Sequence, residues 1–316
     1  MKDPPALPRR DLLRAAPAAA LALALRPAPG PRFFKNLAPG HIGVKADQRR
    51  ALEYAVQYGF EGIAPQAAEF ENAPEDRIRA WLDEMKARGI RYGAAGLPVD
   101  FRGDEDRFRR DLEQLPRRAE LLRRLGVTRA ATWITPGHPE LPYADNFERH
   151  RKRLGEAARI LKDHGLRLGL EFVGPKTSRD RYRHPFIHDQ KGMMDLVAAI
   201  GTGNVGLLLD SWHWYTSRGT VEDLRKLSNA DVVHVHVNDA PAGIPVDEQV
   251  DNRRKLPATT GVIDLKGFVN ALVRIGYDGP VECEPFDQEL DAMEDRAALE
   301  RTRAALDRLW ALIAPE

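Results

Sequence analysis

Eight short apolar runs, separated by segments with helical periodicity, restrict the fold of this chain more than any other feature. They are HIGVK (41–45), FEGIA (60–64), IRYGAAG (90–96), TRAATWI (128–134), RLGLEFV (167–173), VGLLLD (205–210), VVHVHV (232–237) and VECEP (281–285). Between them apolar residues recur at i, i+3, i+4 and i+7, the spacing of a helix with one buried face. Ile78, Trp81, Leu82 and Met85 form one such set. Leu154, Ala157, Ala158 and Leu161 form a second, and Leu265, Phe268, Val269 and Leu272 a third. A closing helix sets Leu299, Leu306, Leu309 and Ile313 on one side. Gly89, Gly126, Gly165 and Gly276 each stand where a helix must stop before a strand begins, a place suited to a left-handed residue. A parallel strand needs a crossover helix to reach its neighbour. Eight strand–helix units therefore predict an α/β fold, a single-domain (β/α)8 barrel, in preference to an open doubly wound sheet.

A length of 316 residues would allow two domains, but no Ser/Gly linker or low-complexity block follows Pro31, so residues 31–316 are expected to form one barrel. Residues 1–30 are of a different kind. Arg9-Arg10-Asp11-Leu12-Leu13 precedes an uncharged Ala/Leu stretch from Ala15 to Leu25 and then the break RPAPGP. This stretch resembles a twin-arginine signal, which implies export of a folded chain, to the periplasm; a disordered Ala-rich arm is the alternative. The eleven apolar residues are too few to cross a hydrocarbon core of ~30 Å comfortably, so no stable membrane span is expected in the mature chain.

Lys and Arg number 48 against 47 Asp and Glu, a net charge of +1, which offers nothing to attract a nucleic acid. The basic run Arg149–Arg153 is expected to be a solvated helix face. Gly201-Thr-Gly-Asn-Val-Gly206 matches a dinucleotide-binding pattern, but it follows a helix and enters a strand, the reverse of what that motif requires. With Cys283 alone, neither an internal disulfide nor a Cys-rich zinc site can form. Any metal must be held by His, Asp and Glu.

Those residue types gather at strand ends. Glu171 ends LGLE, Asp210 ends GLLLD, His236 comes late in VVHVHV and Glu284 closes VECE. Barrel active sites are built at the carboxyl ends of the strands. Three carboxylates and an imidazole at one mouth are costly without a cation between them. One divalent ion resolves the conflict: Mn²⁺, Co²⁺ or Mg²⁺ first, with Zn²⁺ also compatible. His234 shares a face with His236 but lies deeper, as a partner behind the ligands. His213, three residues past Asp210, can return over the site.

GLEFVGPKTS with Glu171, LLLDSWHWY with Asp210 and His213, VVHVHVND with His236 and GYDGPVECEPF with Glu284 resemble the xylose isomerase-like barrels of the sugar phosphate isomerase/epimerase kind. The resemblance covers nearly all of 33–316. It implies that Glu171, Asp210, His236 and Glu284 bind one divalent metal, that the two glutamates are an acid/base pair, and that His213 contacts substrate. The implied activity is isomerisation or epimerisation of a monosaccharide or keto-sugar through an enediolate. A lyase or dehydratase acting on a 3-keto-glycoside or keto-inositol could use the same site, and a non-catalytic sugar-binding barrel could keep the same ligands. An abasic-site endonuclease is disfavoured by the neutral charge. Thr177 stands where the epimerases usually carry a second substrate-binding Glu. A long insertion, NDAPAGIPVDEQVDNRRKL, follows His236, within which Arg253 or Arg254 is the candidate for the family's substrate-binding arginine. Lys176 is a candidate anion contact. A small-molecule sugar is the expected partner, and a homo-oligomer is compatible with this reading.

Overall fold

A computed structural model of the chain describes residues 31–314; the stretch expected to be an export signal, residues 1–30, lies outside the described residues. The strands are β1 (Phe34–Leu37), β2 (Gly62–Ile63), β3 (Arg91–Tyr92), β4 (Ala95–Gly96), β5 (Arg129–Trp133), β6 (Gly137–His138), β7 (Arg167–Glu171), β8 (His184–Pro185), β9 (Val205–Asp210), β10 (Val232–His236) and β11 (Pro280–Glu282). Nine of them hydrogen-bond in the order β3-β2-β1-β11-β10-β9-β7-β5-β4, every pair parallel. The two ends of that order, β3 and β4, are successive pieces of one stretch. One pairs with β2 and the other with β5, so the sheet closes on itself as a barrel of eight staves. β6 and β8 form a separate antiparallel ribbon.

The first stave departs from expectation. HIGVK (41–45) is not a strand: Pro39–Ile42 is a 3-10 turn, closed by Gly43 at φ 76°. The strand is FKNL just before it, with all four residues buried. Two polar residues disguise it in sequence, yet both are paired. The Lys35 ammonium meets Asp307 and lies over the Trp310 ring, and the Asn36 amide donates to Glu282.

The expected helices form at Glu75–Ala87, Tyr143–Asp163, Leu265–Arg274 and Asp295–Trp310, although Ile313 falls beyond the last one. They cover the barrel with buried residues such as Trp81, Leu154, Leu161, Phe268 and Leu306. Gly201 ends the helix Gln190–Ile200 and the chain runs on into β9, so the glycine pattern there is a helix stop. The run Arg149–Arg153 is only partly a solvated face. His150 and Arg153 are buried, and Arg153 donates to the carbonyls of Phe101 (2.9 Å) and Gly103 (2.8 Å). The amphipathic pattern hid this, because a long guanidinium can lie inside and satisfy loop carbonyls. Among the described residues no helix is long and apolar enough to cross a membrane.

The insertion after β10 is anchored by Asp239, whose buried carboxylate accepts five backbone N–H groups. Oδ2 takes Thr259 (3.2 Å), Thr260 (3.0 Å) and Gly261 (2.9 Å), and Oδ1 takes Ala240 (2.9 Å) and Ile263 (3.1 Å). Its backbone exchanges both hydrogen bonds with Lys255, at 2.7 and 2.9 Å. Burial alone would raise this carboxyl; the amide donors, Ile263 and Gly261 foremost, outweigh it and hold the group below the usual carboxylate range. Asp239→Ala should lower the unfolding free energy by roughly 3 kcal/mol in urea titrations, because buried amides lose a charged acceptor. The advantage of wild type over Asp239→Asn should be full above the unfolded aspartate pKa of about 3.9. It should vanish as pH falls from there through the depressed folded value.

Candidate functional site

Parallel register brings the strand-end groups together. Trp133 pairs with Glu171 across β5 and β7, while His236 pairs with Asp210 on one side and Glu282 on the other. Glu284 follows two residues after β11. Glu171, Asp210, His236 and Glu284 each offer a donor atom within 4.8 Å of the others. From His236 Nδ1 the distances are 3.6 Å to Glu171 Oε1, 3.8 Å to Asp210 Oδ2 and 3.4 Å to Glu284 Oε2. His236 Nδ1 and Glu171 Oε1 are buried with no hydrogen-bond partner. Buried polar atoms are normally satisfied, and two orphans facing each other among carboxylates fit a divalent cation. Oxygen and imidazole donors without thiolate suit Mn²⁺, Co²⁺, Mg²⁺ or Zn²⁺.

The neighbouring groups set the orientation of these four. Asp210 is the N-cap of the helix Ser211–Thr216, accepting from the Trp212 N–H at 2.6 Å. Asn238, completely buried, donates its amide to Asp210 Oδ1 and Oδ2 at 3.2 and 3.1 Å and accepts from the Glu284 N–H at 3.0 Å. It stands in VHVND beside the expected ligand, yet its side-chain partners come from β9 and from the segment after β11 and have no signature in sequence.

His213 does return over the site. Its Nδ1 accepts from the Gly174 N–H at 3.2 Å, and its Nε2 lies 3.9 Å from Glu171 Oε1. Only glycine fits at 174, since a Cβ there would stand 2.4 Å from the His213 carbonyl oxygen. Of the two arginine candidates, Arg254 enters the mouth and Arg253 stays exposed. The Arg254 guanidinium reaches Asp210 Oδ2 (2.9 Å), Glu284 Oε2 (3.1 Å) and Asp251 Oδ1 (2.8 Å). Phe286, at φ 43°, covers it, with 4.7 Å between guanidinium and ring centre. Lys176 is exposed and pairs with Asp180; it does not line the mouth. His234 lies against Glu282, Nε2 to Oε1 3.2 Å.

Electrostatics separate the two glutamates. Burial pushes the Glu171 carboxyl up, against the pull of His236 and His213. Burial also opposes charge on Glu284, but His236 and then Arg254 hold it well below the usual range. His236 is raised despite burial, by Glu284 and then Glu171 and Glu282. Cys283 is buried and its thiol pushed up, first by burial, which suits packing and not nucleophilic chemistry.

Two cavities meet at this cluster. The inner one, about 240 Å³, has small walls (Ala38, Ala64, Ala94, Ala131) facing Glu171, His236 and Glu284. The outer one, about 440 Å³, is lined by Trp133, Tyr182, Asp251, Arg254 and Phe286 with Glu171 and Glu284. Sequence reasoning missed Tyr182, Phe286 and Asp251, which come from loops without periodicity, and gave no sign that Trp133 at the end of β5 faces the mouth.

A sequence model of the xylose isomerase-like TIM barrel matches residues 52–309. An inosose isomerase of Bacillus velezensis is 27% identical over 272 residues, covering 83% of this chain and 93% of that protein. A 3-dehydroshikimate dehydratase of Pseudomonas aeruginosa is 29% identical over 256 residues, covering 78% of this chain but 37% of that protein. The solved structure of a xylose isomerase domain protein from Alicyclobacillus acidocaldarius superposes with a TM-score of 0.78 at 30% identity, covering 89% of this chain and 99% of the other. The clash at position 174 gives a direct check of the mouth: Gly174→Ala should cost about 1–3 kcal/mol in thermal or urea unfolding, the usual penalty of overpacking.

Proposed function

This chain belongs to the xylose isomerase-like TIM barrel family, and from the donor set at its barrel mouth we propose that it is a divalent-metal-dependent isomerase or epimerase acting on a monosaccharide or keto-sugar through an enediolate. One observation carries the reading: Glu171, Asp210, His236 and Glu284 converge with two of their buried donor atoms unpaired. These four residues would hold the cation. Bound there, it would supply Lewis-acid stabilisation to two vicinal substrate oxygens as negative charge builds.

The remaining work falls to the chain. Glu284, held ionised beside Arg254 and His236, is suited to remove a proton next to a carbonyl, and Glu171, raised by burial, to return one. That pair of roles gives epimerisation when the proton comes back on the opposite face. Arg254 and His213 reach the same space and are placed to bind substrate hydroxyl or carbonyl oxygens. The Ala-walled inner cavity leaves room for a ring against Glu171 and Glu284, and Trp133 and Phe286 line the outer cavity beside it. The amino-terminal arginine pair and apolar run support reading the protein as exported to the periplasm, where an unphosphorylated sugar is the fitting substrate.

A second reading, dehydratase or lyase at the same site, is favoured by the outer cavity. An enediolate can expel a β-hydroxyl or β-alkoxyl group, and that cavity adjoins Glu284 and Arg254 with space for what departs. The similarity to a dehydratase supports the same alternative.

Solvent-deuterium incorporation into a panel of ketoses, keto-inositols and 3-keto-glycosides tests both, read by mass spectrometry. Exchange without loss of a group supports the isomerase or epimerase; exchange with elimination supports the lyase. No exchange with metal bound sinks both and leaves a sugar-binding barrel. Glu284→Gln should cut exchange by about 10²-fold or more while leaving the fold intact by circular dichroism. Arg254→Met should keep the metal but lower kcat/KM for exchange about tenfold or more, since a charged hydrogen bond to substrate is lost.

A further inference from the structure

We propose that the barrel holds a second divalent cation, bound by His41, His236 and Glu282 on the Nε2 side of His236, in the inner cavity that Glu171 and Glu284 also line. This goes beyond the proposed reaction and shares only His236 with it. Glu282 Oε1 is the focus: His41 Nδ1 lies 3.4 Å from it, His236 Nε2 3.3 Å and His234 Nε2 3.2 Å. His41, His236 and Glu282 each present a donor atom within 4.8 Å of the others. Three imidazoles contributed by three positions of the chain therefore crowd a single carboxylate oxygen.

Hydrogen bonding alone does not account for that arrangement. A carboxylate oxygen has two lone pairs, so three N–H groups cannot all be accepted by Oε1. His41 Nδ1, which faces Glu282, is buried and has no hydrogen-bond partner. A cation with bonds of about 2.0–2.1 Å to nitrogen and oxygen, in tetrahedral geometry, sets neighbouring donors roughly 3.3 Å apart. The nitrogen-to-oxygen spacings here match that edge. Glu282 is also fixed for the purpose: Asn36 donates to its other oxygen, and His234 braces Oε1.

His236 serves both sets through its two nitrogens, Nδ1 toward Glu171, Asp210 and Glu284, and Nε2 toward Glu282. Each set would thus take a different ring nitrogen of His236. Two imidazoles and one carboxylate without thiolate select Zn²⁺ over Mg²⁺. Access comes from His41, whose side chain is 36% exposed on the turn Pro39–Ile42, beside an open cavity lined by Ala38, Val44 and Gln66.

The test is a metal count on the whole protein, loaded with excess Zn²⁺, dialysed and measured by inductively coupled plasma mass spectrometry. Two ions per chain are expected for wild type. One is expected for His41→Ala and for the gentler His41→Asn, both on a surface turn where folding is readily checked by circular dichroism. Glu171→Ala should lose the other ion and keep the one at His41. A single ion in wild type, lost with Glu171→Ala but not with His41→Ala, overturns the second site and leaves the first standing. A wild-type count of zero sinks both. Equal counts in wild type and both His41 variants also overturn the proposal.

Discussion

Placing three carboxylates at the dry end of a barrel is the constraint on which the rest of this site depends. Glu171 and Asp210 are buried and Glu284 nearly so. Charges so close in low dielectric must be matched by cations or be neutralised by protons. The fold answers with His236 between them and with the Arg254 guanidinium laid against Asp210 and Glu284. Glu171 is the carboxylate left least compensated, with one oxygen unpaired. The gap beside it is where an additional cation belongs.

Arg254 reaches that position through an insertion anchored by two buried side chains, Asp239 and Gln249, the latter donating its amide to the carbonyls of Pro241 and Ile244. Asp239 sits three residues after His236, at the exit of β10, and gathers the amides of Thr259, Thr260, Gly261 and Ile263 around its carboxylate while its backbone clasps Lys255. The residue next to Lys255 is thereby fixed toward the barrel axis, and Phe286 closes over it in a left-handed backbone conformation that a bulky residue adopts only when its surroundings compel it. A loop of this length would otherwise pay considerable entropy to hold a guanidinium in one place. The same anchoring leaves Arg253 pointing to solvent.

Much of the barrel was legible in one dimension. Seven of the eight apolar runs hold strand residues because buried parallel strands are apolar on both faces. The exception, β1, carries Lys35 and Asn36, whose burial is tolerated only through partners 272 and 246 residues away. Periodicity cannot register such compensation. The misplacement of that strand also hid His41, which sits on a turn beside Glu282 instead of inside the sheet. Likewise Arg153 reads as surface, since its carbonyl partners lie in a loop some fifty residues earlier, while His150 meets the Asn146 carbonyl one turn back on its own helix.

By itself the sequence determined the alternation of strands and helices, and it set Glu171, Asp210, His236 and Glu284 at or near strand ends, because periodicity and polar interruption are local properties of a chain. Tertiary structure decided which of two adjacent arginines faces the mouth, that Lys176 turns away, and that Asn238, Glu282 and His41 join the cluster. Those choices depend on register between strands and on a loop anchored by buried polar side chains such as Asp239 and Gln249. Neither is encoded in any one segment, so each becomes visible only when distant segments are brought within a few ångströms of one another.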